Sequence, residues 1–218
     1  MNGQINLNTN FGKFINEISS FQDNKVFVEI GTWNGQGSTY CVMESLLKRE
    51  DETNFYSLEC DMVRHIEAVA LWKKILENNP KKDILKLLHG RIVEINQIYK
   101  REELKELEGF FNDWYKWYDD DIKNFELCEN ILDEMPSTID VLILDGGEFS
   151  TFAEFSVLFN RVKNYIILDD CNILKCKNIY KILSQHSEWQ LYKEDLKDRN
   201  GYAIFKSTKK PSIAREFN

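Results

Sequence analysis

The sequence lacks the features that mark membrane, secreted and zinc-binding proteins. No apolar run approaches the length of a membrane span, and residues 1–10 lack the charged start and apolar middle of a signal peptide. The five cysteines form no Cys-x-x-Cys pair, and their odd number does not suit a disulfide framework. We therefore expect a cytoplasmic protein with reduced cysteines and no membrane partner.

Basic residues are also too few for a protein that binds nucleic acid. There are 28 Lys and Arg against 36 Asp and Glu, which gives a net charge of −8 and a pI of about 5.1. Phosphate binding needs a clustered basic face, and only the tail from Lys206 to Arg215 is locally basic. A length of 218 residues with 43% apolar content predicts a single α/β domain over residues 1–218. We expect a small-molecule partner, and the oligomeric state stays open, a homo-oligomer included.

A strand that ends in a glycine-rich turn is the most informative stretch of the chain. The apolar run 26–30 contains Glu29, a helical pattern begins at about Ser38, and three glycines lie between them: Gly31, Gly35 and Gly37. Glycine permits positive φ and lets a ligand approach the backbone, while the free N–H groups at the start of a helix point toward that ligand. No lysine follows the last glycine, so an NTPase P-loop is not indicated. An ordinary strand-turn-helix without a ligand is the alternative.

The ends of the next two predicted strands supply further candidates. Glu59 ends a strand at 55–59, where an acid in a doubly wound sheet accepts hydrogen bonds from ribose hydroxyls. We expect Asp61 to cap the following helix instead. A third strand at 84–88 leads into His89, Gly90 and Arg91, which by position would lie beside an adenine pocket. His89 is also a catalytic candidate, although a lone histidine at a strand end more often makes structural hydrogen bonds.

An insertion at about 92–135 separates this third strand from the fourth. Its apolar residues keep three- and four-residue steps, which predicts one long helix: Leu104, Leu107, Phe111, Trp114, Tyr118, Ile122 and Phe125. We expect Phe111, Trp114 and Tyr118 to be core. Tyr115 and Trp117 lie off this stripe, which favours a lid that stacks on a flat or sugar-like substrate.

Three acids follow the fourth and fifth strands. Asp145 comes directly after the buried run 139–144, and Asp169 and Asp170 follow the run 165–168. Because the carboxyl ends of parallel strands meet at one edge, these carboxylates should gather there, and a divalent cation would remove their repulsion. The alternative is that Asp169 or Asp170 only caps the following helix.

Two final strands, at about 189–192 and 202–206, read as a hairpin with a turn at Asn200-Gly201. The predicted fold is therefore a Rossmann-like, doubly wound α/β sheet of seven strands. It is mostly parallel, with an antiparallel C-terminal hairpin and a helical insertion between strands three and four.

The glycine-rich stretch and this strand layout resemble class I S-adenosylmethionine (SAM)-dependent methyltransferases. Trp33 stands where many members have a second glycine. The resemblance implies SAM as cofactor, and it implies these cofactor-binding residues: Glu29, Gly31, Thr32, Trp33, Gly35, Gly37, Ser38, Glu59, Gly90, Arg91 and Asp145.

The acid after strand four and the acidic pair after strand five resemble the metal-dependent O-methyltransferases, including the catechol and macrocin types. The resemblance implies that Asp145, Asp169 and Asp170 bind Mg²⁺ or another divalent cation. Sugar-modifying members carry a histidine as base three residues after the first acid, where this chain has Glu148. Either Glu148 takes the proton, or it joins the metal and the base is His89 or Lys175.

We therefore expect a SAM-dependent O-methyltransferase that acts on a sugar or nucleotide-linked sugar, such as a hexose or heptose of a capsule, lipopolysaccharide or natural-product pathway. Asp145, Glu148 and His89 are the catalytic candidates, and Tyr115, Trp117 and Lys175 the substrate-contacting ones. Two alternatives stay open: methylation of a small-molecule amine or catechol, and a non-catalytic SAM-fold protein that binds a partner through its aromatic insertion.

Overall fold

A computed structural model describes residues 4–107 and 109–209, which form one seven-stranded sheet with helices on both faces. Its strands are β1 (Val26–Ile30), β2 (Asn54–Glu59), β3 (Leu85–His89), β4 (Ile139–Leu144), β5 (Val162–Asp169), β6 (Trp189–Asp195) and β7 (Tyr202–Ser207). Its α-helices are α1 (Asn10–Ser20), α2 (Ser38–Leu46), α3 (Met62–Leu76), α4 (Asp113–Leu127), α5 (Thr151–Leu158) and α6 (Leu174–Gln185). No helix in the described ranges is long and apolar enough to cross a membrane.

The strand order is β3-β2-β1-β4-β5-β7-β6, and the first five strands in this order are parallel. β7 runs antiparallel to both β5 and β6. The predicted fold class is therefore confirmed. The connection between β6 and β7 is longer than a two-residue Asn-Gly turn: it spans residues 196–201, with positive φ at Arg199 and Gly201.

The two faces of the sheet bury separate apolar layers. Alternate residues of one strand point to opposite faces, so Phe27 packs with α1, α2 and α3, whereas Val28 and Ile30 pack with α5, α6 and the end of α4. The strand order reverses between β1 and β4. In open α/β sheets, ligands bind at the carboxyl edge beside such a reversal.

The insertion is not the single long helix that its spacing predicts. Residues Arg101–Glu106 form a short 3₁₀ helix, Gly109 has φ 85°, and α4 begins only at Asp113. Phe111 lies before α4 and is 44% exposed, so its prediction as a core residue is wrong. Trp114 and Tyr118 are buried, as predicted, and both rings contact Phe149 edge-on.

Candidate functional site

The end of β1 and the end of β4 are in direct contact at Gly31. The Asp145 N–H donates to the Ile30 carbonyl oxygen at 2.9 Å, and Gly31 has φ 95°. A Cβ at Gly31 would lie 2.2 Å from the Asp145 carbonyl oxygen. Only glycine fits this position, because both the positive φ and the close backbone approach exclude a side chain.

Glu29 lies beneath the glycine-rich turn rather than at its surface. Its Oε2 accepts hydrogen bonds from the hydroxyls of Thr39, at 2.6 Å, and Ser57. Burial raises the pKa of Glu29, which the Ser38, Ser57 and Thr39 hydroxyls partly offset. The other oxygen, Oε1, is buried and has no hydrogen-bond partner among the described residues.

Three more predicted cofactor residues also support the turn from below or behind. Thr32 is buried, with its hydroxyl 2.5 Å from that of Ser57. The Gly35 carbonyl accepts a hydrogen bond from Trp72 Nε1 at 3.0 Å, and a Cβ at Gly35 would lie 2.7 Å from that nitrogen. Gly37 precedes α2, whose first turn has no side-chain cap. These contacts fix the path of the turn.

Glu59 is held at the end of β2 by two backbone donors. The Trp33 N–H donates to its Oε2 at 2.6 Å, and the Asp61 N–H donates to its Oε1 at 2.9 Å. Burial raises the pKa of Glu59, and these two N–H groups oppose the shift. Asp61 Oδ1 accepts from the N–H groups of Val63 and Arg64 and caps α3, as predicted.

A pocket opens above these residues, between the carboxyl ends of β1, β2 and β4. Four predicted residues line it: Gly31, Trp33, Glu59 and Gly90. Residues that the sequence reasoning did not select complete the lining, among them Arg64, Asp121, Asn124, Phe125, Ser150 and Glu154. Trp33 has φ 49°, and its 40% exposed ring lies beneath the Arg64 guanidinium.

α4 forms the roof of this pocket. Trp114 and Tyr118 pack on Phe149, in the loop after β4, and one to two turns later Asp121, Asn124 and Phe125 face the pocket. The same helical stripe therefore carries both core residues and pocket residues. That repeated spacing is the only signal in the sequence that could have identified Asp121.

Asp121 and Glu154 are carboxyl groups whose environment disfavours their charge. Burial raises the pKa of Asp121 to about 7, with Glu59, Asp120 and Glu148 adding to the shift. Burial raises the pKa of Glu154 to about 8, although a hydrogen bond from the Ser150 hydroxyl at 3.2 Å lowers it in part. No Lys or Arg in the described ranges forms an ion pair with Glu59, Asp121 or Glu154. A cationic ligand would supply the missing charge.

Two residues predicted beside the third strand do not face the pocket. His89 Nε2 contacts the Cys60 carbonyl oxygen at 3.0 Å and Cys128 Sγ at 3.4 Å. It lies three strand positions from Asp145, roughly 14 Å at about 4.8 Å per strand, so the structure does not bring it to the acids. Arg91 donates to Val93 and Cys128 carbonyl oxygens and pairs with Glu94, which ties down the start of the insertion.

The predicted lid aromatics also lie away from the pocket. Trp117 is 46% exposed and contacts Phe111 edge-on. Tyr115 lies beneath the Arg101 guanidinium, 4.4 Å from it, and packs against Phe110. The side of α4 that faces the pocket is the apolar stripe, which is why residues off that stripe face outward.

Asp145, Asp169 and Asp170 converge, with one oxygen of each within 4.8 Å of the others. The ammonium of Lys175 lies among them: its Nζ is 2.6 Å from Asp170 Oδ2, 2.9 Å from Asp145 Oδ1 and 3.9 Å from Asp169 Oδ2. Arg199 pairs with the other oxygen of Asp169. We call these three acids with Lys175 the acid cluster.

The protonation of the acid cluster follows from burial and its internal pairs. Burial disfavours the charge of Lys175, but Asp145, Asp169 and Asp170 outweigh it and hold the pKa of Lys175 well above its ordinary value. Burial and Asp145 raise the pKa of Asp169, while Lys175 and Arg199 oppose the shift. Neither Asp169 nor Asp170 caps α6 with its side chain, so the capping alternative is wrong.

Glu148 connects the loop after β4 to the start of α6. Its Oε1 accepts a hydrogen bond from the Lys175 backbone N–H at 3.2 Å. Burial raises the pKa of Glu148, with Lys175 opposing the shift. Its carboxyl group therefore lies beside the acid cluster and takes up a proton more readily than an ordinary glutamate does.

Solved structures share this architecture. The O-methyltransferase from Bacillus cereus in complex with SAH matches with a TM-score of 0.56 and 14% identity, covering 90% of this chain and 80% of that one. A methyltransferase from Geobacter sulfurreducens matches with a TM-score of 0.52 and 14% identity, over 91% and 78% of the two chains. Precorrin-6y C5,15-methyltransferase from Geobacter metallireducens matches with a TM-score of 0.51 and 13% identity, over 91% and 88%.

The fold is the methyltransferase fold. At these identities the likeness concerns the fold alone. No protein-family model matches the chain, and no curated protein matches its sequence.

Proposed function

We propose that the chain is a SAM-dependent O-methyltransferase that acts on a hydroxyl group of a small molecule, a sugar or nucleotide-linked sugar. The observation that carries this proposal is Glu59. Its carboxylate lines the pocket, is oriented by the Trp33 and Asp61 N–H groups, and has no ion-pair partner in the described ranges. Each carboxylate oxygen can accept more than one hydrogen bond, so Glu59 can still accept from both hydroxyls of a ribose.

The residues of the pocket fit this cofactor in charge. SAM carries a sulfonium and an ammonium. Glu154 is buried and Glu59 and Asp121 are half-buried, and none of the three carboxyl groups pairs with a cation in the described ranges. A cation close to them favours their ionised forms and is held by them in turn.

The acid cluster and Glu148 support transfer to oxygen. A bound SAM supplies an activated methyl group, so the chain has to place the acceptor hydroxyl in line with it and remove a proton. Glu148 has a raised pKa and lies beside the acid cluster, which makes it our proposed base. With SAM bound, its methyl group would pass to the acceptor oxygen as the carbon–sulfur bond broke, and Glu148 would accept the hydroxyl proton.

The sugar acceptor and the divalent cation rest on the resemblance to macrocin- and catechol-type enzymes. The oxygen donors of Asp145, Asp169 and Asp170 suit a divalent cation. With Lys175 Nζ 2.6 to 2.9 Å from two of these acids, however, a resident metal ion does not fit the same space. Proton removal is therefore assigned to the side chains of this chain alone.

Calorimetry with SAH and a transfer assay test the proposal. We expect SAH to bind and to raise the melting temperature, and we expect SAM to methylate at least one member of a panel of nucleotide sugars, detected by mass. SAH binding without transfer to any hydroxyl acceptor would point to an amine acceptor or to a binding protein. Absence of SAH binding would contradict the cofactor assignment itself.

A further inference from the structure

The position of Lys175 is the feature of the acid cluster that the sequence pattern does not reveal. Lys175 is only 7% exposed, and its ammonium forms ion pairs with all three carboxylates. An unpaired buried ammonium is costly, whereas one that faces three carboxylates offsets both its own desolvation and their mutual repulsion. This lysine is therefore part of the cluster and not a surface residue beside it.

Backbone contacts hold Lys175 in this place. It lies in the first turn of α6, and its N–H donates to Glu148 Oε1 at 3.2 Å. The preceding turn is anchored to the β6–β7 connection, because the N–H groups of Cys171 and Asn172 donate to the carbonyl oxygens of Gly201 and Asn200 at 2.9 and 2.8 Å. Asp170 takes up the left-handed conformation, φ 57°, which is unfavourable for a residue with a side chain. The loop thus fixes both Lys175 and Asp170, which form the shortest ion pair in the acid cluster.

The ammonium occupies the position that a divalent cation would take. A hard divalent ion binds by sharing several carboxylate oxygens at about 2.0 to 2.6 Å. Here one oxygen of Asp145 and one of Asp170 already lie 2.9 and 2.6 Å from Lys175 Nζ, and the second oxygen of Asp169 pairs with Arg199. Two cations in this space would repel each other, so a metal could enter only if Lys175 left.

We propose that Lys175 is the resident cation of this site and takes the place of a divalent metal ion. The ammonium holds Asp145, Asp169 and Asp170 together and keeps a positive charge at the sheet edge, beside Glu148. Two N–H groups of the ammonium face Asp145 and Asp170. The third makes no short contact with Asp169, whose oxygen lies 3.9 Å from Lys175 Nζ, and it can donate to an acceptor oxygen. That last role rests on the proposed function; the replacement of the metal does not.

The first test uses the unaltered chain and needs neither cofactor nor acceptor. Mg²⁺ and Mn²⁺ are titrated into the protein by calorimetry, and melting is measured with each ion and with EDTA. We expect no binding heat and the same melting temperature in all three conditions. Stoichiometric binding of either ion, lost in Asp145→Asn, would overturn the proposal.

The second test removes the resident cation. In Lys175→Met the three carboxylates are left with Arg199 alone, so we expect Mn²⁺ affinity to rise by at least about tenfold over the unaltered chain, together with an upward shift of melting by Mn²⁺. Lys181→Met is the matched control: it makes the same change at an exposed position of the same helix, and we expect no gain. A folded Lys175→Met variant without the gain in affinity would also overturn the proposal.

These measurements separate this proposal from the proposed function. If Lys175→Met does not fold with or without Mn²⁺, the titration of the unaltered chain decides alone. If SAH fails to bind, the methyltransferase proposal fails while the cation result stands. If transfer is observed, it should persist undiminished in EDTA, and a loss of transfer that Mg²⁺ restores would count against Lys175.

Discussion

The two halves of the carboxyl edge of this sheet differ in whether their acidic side chains have ion-pair partners. In the pocket beyond β1 and β2, the carboxyl groups of Glu59, Asp121 and Glu154 form no ion pair in the described ranges. In the acid cluster beyond β4 and β5, Lys175 and Arg199 pair with all three acids. One half is charge-compensated by the protein, and the other is not.

This difference indicates where a ligand's charge is needed. Uncompensated buried carboxyl groups destabilise a protein unless they stay protonated or meet a cation, and the raised pKa values of Asp121 and Glu154, about 7 and about 8, show that cost. Such a pocket gains most from a cationic ligand. The acid cluster already has its cations and gains little from another one.

Replacing Glu148 should separate chemistry from cofactor binding most strongly. If Glu148 takes the acceptor proton, Glu148→Gln should lower kcat by roughly 10²- to 10⁴-fold, because the amide cannot act as a base. SAH affinity should not change, since Glu148 is not among the pocket-lining residues. Glu126→Gln, at an exposed position of α4, is the control. Full activity of Glu148→Gln would move the base elsewhere.

Replacing Glu59 should instead weaken the binding of SAH. Glu59→Gln removes a charged acceptor of hydrogen bonds, so SAH affinity should fall by about 10- to 150-fold, or roughly 1.5 to 3 kcal/mol. Calorimetry measures the change, with Glu77→Gln at the exposed end of α3 as control. Unchanged affinity would be inconsistent with the ribose role and would leave Asp61 as the alternative.

Without a ligand, the protein should lose stability as the pH rises through the range in which the acids of the pocket titrate. Asp121 has an ordinary pKa of 3.8 and a folded-state pKa of about 7, so between these values the folded state binds more protons than the unfolded state, and the free energy of unfolding falls. Asp121→Asn should raise the melting temperature at pH 8 and leave it nearly unchanged at pH 4. Glu126→Gln, at an exposed position of the same helix that does not contribute to the shift of Asp121, should do neither. Equal melting temperatures of Asp121→Asn and the unaltered chain at pH 8 would contradict a destabilising charge at Asp121.

The smallest effect is expected at Trp117. Its exposed ring contributes little to the core, so Trp117→Ala should change the free energy of unfolding by no more than about 0.5 kcal/mol and leave SAH binding intact. Trp114→Ala, three residues earlier in the core, should cost about 3 to 5 kcal/mol. A rise in the acceptor KM of Trp117→Ala would support the predicted lid, whereas a large loss of stability would place this ring in the core.

The sequence predicts the sheet well because its signals are local. The buried runs before Gly31 and Asp145 and the acid at Glu59 mark strand ends, and the parallel topology then brings those ends together. Glu29 is a good counterexample. The pattern marks it as important, yet only the packing of Thr39 and Ser57 shows that it lies beneath the turn.

What the sequence does not reveal depends on contacts between distant segments. Periodicity places Trp114 and Asp121 on one stripe but cannot tell that the first meets Phe149 while the second faces the pocket. Periodicity also predicts that the helix already includes Phe111, because spacing alone does not detect the break before Asp113. The sequence marks Lys175 as a candidate base or substrate contact, but it does not show that the first turn of α6 directs this side chain at three acids.

The contact at Gly31 has a mechanical consequence. A Cβ at Gly31 would lie only 2.2 Å from the Asp145 carbonyl oxygen, so the residues that directly follow β1 and β4 touch through backbone atoms, which cannot rotate aside as a side chain can. The spacing between the pocket and the acid cluster is therefore set by two main chains in contact. A displacement on either side would reach the other within one residue, so the distance between the two sites is built into the sheet itself.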